Sequence, residues 1–562
     1  MGRIGVAVIV SLWIIPISFL VNRIVPHPYM DEIFHVPQAQ QYCKGNFTSW
    51  DPMITTPPGL YCLSLAHVAS LFPGMLCMQV APSFSDACST AILRSTNAIL
   101  AVICSVLVYE IITQLRPALD ERKATLYAVV LALYPLHWFF TFLYYTDVAS
   151  LTAVLAMYLA CLKKNYIFSA LLGSFSVFIR QTNIIWVLFV ACVGVIDCTL
   201  ASRKANVQLD DSDLSIRKDN QLTSNKGVTR GSNLRKRNPG KAVDIVNHSI
   251  QRSAPSTTYS SGFFDEIQDI FLMAWHHKWK LLVSFSPFFI VLVSFVAFVR
   301  WNGSVVLGAK DAHAVSSHFA QIMYFSLVSA LFMAPFHTTF RHTAILFQSF
   351  RKNGLLSFFQ WFVALIVGFL SVHCSSIAHP YLLADNRHYP FYLWRKIINA
   401  HWSMKYLLVP LYVYSWFSIF IILAKTRTKI WVLSYFLACA AVLIPAPLIE
   451  FRYYTIPFFF LILHSNVNDY KSWLLTGILY IAINIFTMFM FLFRPFYWNH
   501  EPGIQRNSAI CDLHRTTEHE VLAYGSSIKS MESTLLKLNY VTVSDFSEFD
   551  YSEQSRAVDH LF

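Results

Sequence analysis

The chain has 562 residues, of which 55% are hydrophobic and 13% charged, and its formal net charge is +12. Soluble proteins carry about 25% charged residues, so this composition excludes an ordinary soluble globular protein. The apolar runs are long and unbroken, whereas the strands of a membrane β-barrel alternate apolar and polar residues. We therefore predict an all-α polytopic membrane protein.

The positive net charge does not predict nucleic-acid binding. Lys and Arg concentrate in a few short loops and one long loop, as the positive-inside rule predicts for the cytosolic loops of a membrane protein. We therefore expect the lipid bilayer, and no nucleic acid, among the partners.

The eleven cysteines are scattered along the chain and include no CxxC pair. Because no Cys/His spacing resembles that of a zinc site, we expect no zinc site. Cys43, Cys62 and Cys77 fall in one loop, where a disulfide bond and free thiols both stay open.

Apolar runs near 20 residues, the length that crosses the hydrocarbon core, predict about 12–14 transmembrane helices. The candidate runs are 4–25, 88–113, 124–143, 148–162, 165–180, 183–200, 279–299, 318–335, 354–372, 405–424, 430–448, 454–466 and 472–494. The first run is longer than the apolar part of a signal peptide and lacks a small-residue cleavage site, so we interpret it as an uncleaved span. Residues 58–73 form a shorter apolar run, which favours a helix lying in the membrane interface.

These runs divide the chain into four parts. We expect a membrane module at 1–200, with a first loop at 26–87, and a second module at 269–500. Between them, 201–268 is polar, basic and poor in aromatic residues, which predicts a disordered cytosolic loop. Residues 501–562 form a polar, acidic tail that we also expect to be disordered.

The orientation follows from the basic loops. If these loops are cytosolic, the N-terminus is cytosolic and the loop at 26–87 lies on the far, luminal side. The glycosylation sequons at Asn46 and Asn302 fall on that same far side, which gives weak additional support.

The segment around which the chain is organised lies in the first loop, where Asp31 and Glu32 follow the first span directly. An Asp-Glu pair is a weak motif by itself. Four further polar clusters are expected on the same side of the membrane, at 144–147, 180–183, 379–389 and 450–454.

Ionisable groups at the edge of the hydrocarbon cost a few kcal/mol each, so they are kept mainly when they are paired or functional. A solvated loop, or an Arg that extends its charge to the interface, is an alternative for each cluster, and for 145–147 and Arg180 taken singly it is the better explanation. Together, the five clusters predict a polar cavity at the membrane surface.

Such a cavity suits either transport or a lipid-linked phosphate substrate. Transporters place their charges near the bilayer midplane, in broken helices related by internal repeats. Here the charges lie at span ends and no repeat is visible. Arg and His can bind phosphate oxygens, and a carboxylate can accept the proton of an attacking sugar hydroxyl. The pattern therefore favours a transferase that uses a phosphate-linked sugar.

Several segments together carry a resemblance to a known family. They are Tyr29–His35, Trp50–Thr56, Pro58–Tyr61, Arg180–Asn183, Ala384–Tyr389 and Glu450–Tyr454. They resemble the endoplasmic-reticulum dolichyl-phosphate-glucose α-1,2-glucosyltransferase family, which adds the terminal glucose to the lipid-linked oligosaccharide. The resemblance covers about residues 1–505, apart from an insert at 201–265.

This resemblance implies a GT-C-type architecture in the endoplasmic reticulum membrane, with an active site that faces the lumen. The implied donor is dolichyl phosphate glucose, and the implied acceptor is the diglucosylated oligosaccharide on dolichyl pyrophosphate. An α-linked product from a β-linked donor implies inversion in a single displacement. The resemblance also implies that no metal or other cofactor takes part.

We assign roles within these segments as hypotheses. Asp31 is the general base, and Glu32 orients this base or the acceptor. The candidate ligands of the donor phosphate are Arg387 and His388, then Arg452 and Arg180. The candidate sugar- or acceptor-binding residues are Tyr29, His35, Trp50, Asp51, Asp385 and Glu450.

Two alternatives stay open on the residues alone. One is another dolichyl-phosphate-sugar transferase, because glucose and mannose differ at a single hydroxyl. The other is a membrane transporter or a channel-associated protein. The chain also departs from the family pattern after Arg506, where about 56 residues replace the short end that the resemblance predicts.

Overall fold

The structure is a computed structural model, and it describes most of the chain. The described residues are 2–71, 87–223, 262–310, 315–337, 343–344, 348, 351, 354–377, 379, 382, 389–465, 469–496 and 505–506, without the side chains of 204–223. Outside these ranges lie most of the predicted loop at 201–268 and most of the predicted tail at 501–562.

The fold is helical. The helices of the first part of the chain are α1 (Gly2–Ile24), α2 (Glu32–Cys43), α3 (Gly59–Leu71), α4 (Thr90–Leu115), α5 (Glu121–Ala132), α6 (Pro135–Thr141), α7 (Thr146–Leu162), α8 (Tyr166–Ile179) and α9 (Ile184–Thr223). A 3₁₀ turn at Gln181–Asn183 precedes α9.

The helices that follow are α10 (Phe263–His276), α11 (Lys278–Asn302), α12 (Ala320–Phe332), α13 (Ala334–His337), α14 (Gly354–Ser375), α15 (Tyr389–Leu393), α16 (Met404–Leu407), α17 (Val409–Ala424), α18 (Lys429–Leu443), α19 (Thr455–His464) and α20 (Tyr470–Phe493). A π-helical turn at Trp394–Ile398 follows α15, and a 3₁₀ turn at Phe451–Tyr454 precedes α19. Two-residue strands at Pro495–Phe496 and Gln505–Arg506 pair antiparallel.

Every apolar run predicted as a span coincides with a helix or a pair of helices, and the all-α polytopic prediction is confirmed. Seven helices are long and apolar enough to cross a membrane, and five shorter helices are apolar. The run predicted at 124–143 is a pair, α5 and α6, bent by 68°. Pro135 occupies the first turn of α6, where its missing N–H leaves no unmade bond. The exact number of spans stays a prediction.

One boundary differs from the expectation. Helix α9 continues to Thr223, well into the segment at 201–268 that was expected to be disordered. Residues 224–261 lie outside the described part of the chain, so that expectation is untested there.

The chain forms two compact units, and the larger one comprises 1–379 and 405–482. Its core is built around α7 and α19, because both helices are rich in apolar residues and nearly every residue in them is buried. The backbone of α3 approaches α8 so closely that a Cβ at Gly59 would lie 2.5 Å from the carbonyl oxygen of Phe178. Gly59 is therefore required by packing.

The smaller unit comprises 380–404 and 483–562. Among its described residues, the Tyr389 hydroxyl is hydrogen-bonded to Thr487 at the end of α20. The paired strands contain the last described residues of this unit.

Within the larger unit, the N-terminus and several predicted cytosolic loops lie together. Arg3 donates to Glu110 at 2.9 Å, and Lys163 lies 3.5 Å from the same carboxylate. Arg116 and Arg427 both contact the segment that ends α19, through the Leu463 carbonyl and the His464 ring. Because α1 runs from this group to the Asp31 loop, the basic loops and the Asp31 loop lie at opposite ends of the unit.

Candidate active site

The Asp31-Glu32 pair lies at the start of α2. Met30 has a φ of 54°, a left-handed conformation that L-residues with a side chain seldom adopt and that persists only where the surroundings fix it. Asp31 occupies the N-cap of α2, but its carboxylate makes no capping hydrogen bond. The Asp31 side chain is therefore not used to cap the helix it precedes.

The Glu32 carboxylate is fully buried and accepts four hydrogen bonds. Two come from Arg94, at 2.8 and 2.5 Å. The other two come from the backbone amides of Tyr29, at 2.9 Å, and Tyr144, at 2.5 Å. Both carboxylate oxygens are thus occupied, and the orienting role of Glu32 stays a prediction.

Arg94 is the partner that sequence reasoning missed. It lies near the start of α4, its side chain is 2% exposed, and all five of its N–H groups have acceptors. Besides Glu32, these acceptors are Asn22 Oδ1 and the carbonyls of Val25 and His27. The Glu32–Arg94 pair therefore ties α4 to the end of α1 and to the turn that carries Asp31. An Arg inside an apolar run was the available signal, since such a charge needs a partner.

The Asp31 carboxylate has a different environment. It is 41% exposed, and its Oδ2 accepts a 2.8 Å hydrogen bond from Nη1 of Arg452. The backbone N–H of Asp31 donates to the hydroxyl of Tyr145 at 2.8 Å. The aromatic face of Tyr145 also lies 5.6 Å from the guanidinium carbon of Arg452. The predicted base is thus accessible and is held beside a cation.

Arg452 is shared by several carboxylates. Its Nη2 donates to Glu450 Oε1 at 3.0 Å, and its Nε donates to the other oxygen of Glu450. Its Nη1 lies 4.0 Å from Oδ2 of Asp147. Burial acts to lower the pKa of Arg452, but Glu450, Asp31 and Asp147 outweigh it and raise this pKa well above its usual value. Arg452 therefore stays cationic.

A four-residue segment before and within the first turn of α7 joins both halves of the site. The Tyr144 amide binds Glu32 and the Tyr145 hydroxyl binds Asp31, while Asp147 pairs with Nη1 of Arg180 at 2.8 Å. Asn97 fixes this segment by donating to the carbonyls at 143 and 145. The sequence marked 144–147 as a polar cluster, but Asp147 was not assigned to the site.

His35 and Trp50 lie around Tyr61. His35 Nδ1 is 2.6 Å from the Tyr61 hydroxyl, and the Trp50 ring packs edge-on against Tyr61 at a centroid distance of 6.1 Å. Burial lowers the pKa of His35 to about 4, although Asp31 opposes the shift. His35 is therefore neutral at physiological pH. Asp51 accepts the Met53 amide at 2.8 Å and so stabilises its own turn.

Two further contacts hold the first loop. A disulfide bond joins Cys43 at the end of α2 to Cys88 before α4. Its partner is thus neither Cys62, which is a free thiol, nor Cys77, which lies outside the described residues. The loop after α11 also pairs with this region, since the Ala309 amide donates to the Pro52 carbonyl at 2.9 Å.

The structure therefore brings four of the five predicted polar clusters together, those around Asp31, Asp147, Arg180 and Arg452. The fifth lies largely outside the described residues, and Asp385, Arg387 and His388 belong to its undescribed part. In the described ranges, no three His, Cys, Asp or Glu side chains are grouped as a metal site requires. The predicted absence of a metal stays a prediction.

The fold and the site define a class. This class is that of helical membrane proteins with many spans, in which carboxylates and guanidinium groups at the ends of the spans form one site. Such a site is expected of a GT-C-type glycosyltransferase. The model of the DIE2/ALG10 family matches residues 25–463. The chain belongs to this family, and the resemblance drawn from its sequence is confirmed.

Curated relatives match over most of their length. A protein of Arabidopsis thaliana named Dol-P-Glc:Glc(2)Man(9)GlcNAc(2)-PP-Dol alpha-1,2-glucosyltransferase is 61% identical over 90% of this chain and 99% of its own. Proteins of the same name from Mus musculus and Homo sapiens are 33% and 32% identical, each over 86% of this chain and 94% of its own. No solved structure matches the chain.

Proposed function

We propose that the chain is an inverting α-1,2-glucosyltransferase. It transfers glucose from dolichyl phosphate glucose to the diglucosylated oligosaccharide on dolichyl pyrophosphate, in the assembly of the N-glycan precursor. The names of the curated relatives support the reaction and both substrates. The observation that carries the chemistry is the accessible Asp31 carboxylate, which is held 2.8 Å from Arg452 on a turn fixed from behind by Glu32 and Arg94.

The proposed reaction is a single displacement. Asp31 accepts the proton of the acceptor hydroxyl, as a positioned general base does. The hydroxyl oxygen forms a bond to C1 of the donor glucose while the bond from C1 to the phosphate oxygen breaks. Dolichyl phosphate leaves with the electron pair, and the configuration at C1 inverts.

The charges of the site bear on how the donor phosphate is held. Three carboxylates, on Asp31, Asp147 and Glu450, surround the two guanidinium groups of Arg180 and Arg452. Since His35 is neutral and Glu32 is balanced by Arg94, this cluster has one more negative than positive charge. An anionic phosphodiester therefore needs cations in addition to Arg180 and Arg452. Arg387 and His388 stay the predicted source.

We also propose that the enzyme lies in the endoplasmic reticulum membrane with the site facing the lumen. The Cys43–Cys88 disulfide supports an oxidising compartment for the first loop. Asn46, in a sequon, is exposed in the same loop. We propose that no metal takes part and that the bilayer, not nucleic acid, is the other partner.

The test is a transfer assay with the purified full-length protein in lipid. Dolichyl phosphate glucose and a diglucosylated lipid-linked acceptor are supplied, with and without a chelator, and the product is weighed by mass spectrometry. We expect a gain of one hexose that survives chelation and disappears with dolichyl phosphate mannose as donor. Well-folded protein that transfers neither hexose would contradict the proposal and favour the transporter alternative.

A further inference from the structure

The ion pair between Asp31 and Arg452 poses a problem for the proposed reaction. A carboxylate that accepts a hydrogen bond from a guanidinium is a weaker base, because the cation stabilises its charged form. Oδ2 of Asp31 is occupied in this way at 2.8 Å. For Asp31 to accept a substrate proton at full strength, Nη1 of Arg452 needs another acceptor.

The described part of the chain offers a candidate acceptor in Asp147. Asp147 is 7% exposed, and only its Oδ1 is engaged, by Arg180 at 2.8 Å. Its Oδ2 is buried and has no hydrogen-bond partner in the described part of the chain. A buried acceptor without a partner costs about as much as a lost hydrogen bond, so a donor that reached it would be bound favourably.

The same Nη1 of Arg452 lies 4.0 Å from this oxygen. That distance is too long for a hydrogen bond, but a side-chain movement of about 1 Å would close it. The rest of the Arg452 guanidinium stays on Glu450 through Nε and Nη2. Arg452 can thus change one partner and keep the other.

We propose that Asp147 is a positioning residue that receives Nη1 of Arg452 when the acceptor hydroxyl reaches Asp31. The two carboxylates alternate as partners of one N–H group. Asp31 is paired in the resting enzyme and is freed from the guanidinium as the substrate hydroxyl replaces it. This inference rests on the proposed function for its purpose, but the exchange of partners is testable without transfer.

The first experiment measures how readily Asp31 reacts with a water-soluble carbodiimide, read by peptide mass spectrometry on the purified full-length protein. If Asp147 offers Arg452 a second position, Asp147→Asn weakens that position and labelling of Asp31 falls at least twofold. If Asp147 only supports the structure, its loss loosens the site and labelling rises. Arg452→Met, which uncovers Asp31, is expected to raise labelling, and Asp265→Asn in α10 is the matched control without effect.

The second experiment measures single-turnover transfer at saturating substrates. We expect Asp147→Asn to slow transfer by about 10–100-fold, the value of a hydrogen bond to a charged group, with donor and acceptor KM changed less than about twofold. In the Arg452→Met background no guanidinium covers Asp31, so we expect the same substitution to change the rate less than about twofold.

Several results would overturn the inference. They are a rise of Asp31 labelling in Asp147→Asn, a wild-type transfer rate in that variant, or an equal rate loss in both backgrounds. If Asp147→Asn does not fold, the Arg452→Met labelling decides, because no increase there means that Arg452 does not cover Asp31. Absence of transfer by the wild type would contradict the proposed function and leave the labelling result intact.

Discussion

Asp31 and Glu32 are adjacent acids, each paired with an arginine, and their environments are opposite. Glu32 and Arg94 are almost completely buried, and every donor and acceptor in the pair is used. Asp31 is 41% exposed, and its arginine is divided among further carboxylates. One pair fixes the turn, and the other can exchange partners. Two adjacent acidic residues in a sequence therefore need not both take part in the reaction.

The largest effect that this comparison predicts concerns Asp31. Removing a general base costs on the order of 10²–10⁴-fold in rate, so Asp31→Asn should lose transfer to that extent. Because the side chain is partly exposed, the melting temperature in detergent should stay close to that of the wild type. Turnover at the wild-type rate would exclude Asp31 as the base.

The second prediction concerns the buried pair, for which we expect the main loss to be in stability. Arg94→Met leaves the Glu32 carboxylate buried without its cation, which costs about 3–5 kcal/mol of stability. Thermal unfolding of the purified variant should show this loss, and transfer should fall because the Asp31 turn is no longer fixed. A stable Arg94→Met protein would contradict the assignment of this pair as the support of the turn.

The third prediction concerns His35, beside the accessible acid. Its pKa is lowered from 6.5 to about 4, so the unfolded chain binds a proton on this residue below about pH 6.5 while the folded chain does not. Stability should therefore fall as the pH decreases from about 6.5 to about 4. His35→Gln should lose less stability over this range, as measured by melting at pH 7 and pH 5. Equal losses in the two proteins would remove His35 as a cause.

The smallest predicted effect concerns Tyr145→Phe. This change removes the hydroxyl that accepts the Asp31 amide at 2.8 Å but keeps the ring beside Arg452. The loss of one such hydrogen bond is worth about 0.5–1.5 kcal/mol, so transfer should fall by less than about tenfold. A loss as large as that of Asp31→Asn would mean that Tyr145 takes part in the chemistry itself.

The spans were predictable from the sequence because hydropathy is a local property. Each apolar run corresponds to a helix or a pair of helices, and Pro135 is a visible signal for the bend that divides the run at 124–143 into two. The helical extension of α9 to Thr223 was not predictable from that polar composition, which favoured disorder.

The site was predictable in part. Charges on one side of a membrane are expected to converge, and Asp31, Arg180 and Arg452 do so. The assignment of partners was not predictable, since Arg94 is 62 positions from Glu32 and helix rotation decides which residues face each other. The same reason explains why Asp147 was noticed as a polar residue but not as a neighbour of Arg452. The Cys88 partner of Cys43 was missed because Cys88 was counted in the next span.

The position of Arg94 also has a consequence for how the protein is made. An unpaired arginine in a membrane-spanning helix opposes insertion into the membrane, and near the end of the helix, where Arg94 lies, it does so less than at the centre. Glu32 precedes Arg94 in the chain, so the neutralising carboxylate has already been synthesised when α4 emerges from the ribosome. The order of residues thus allows the charge of Arg94 to be matched by Glu32 as soon as α4 has been synthesised.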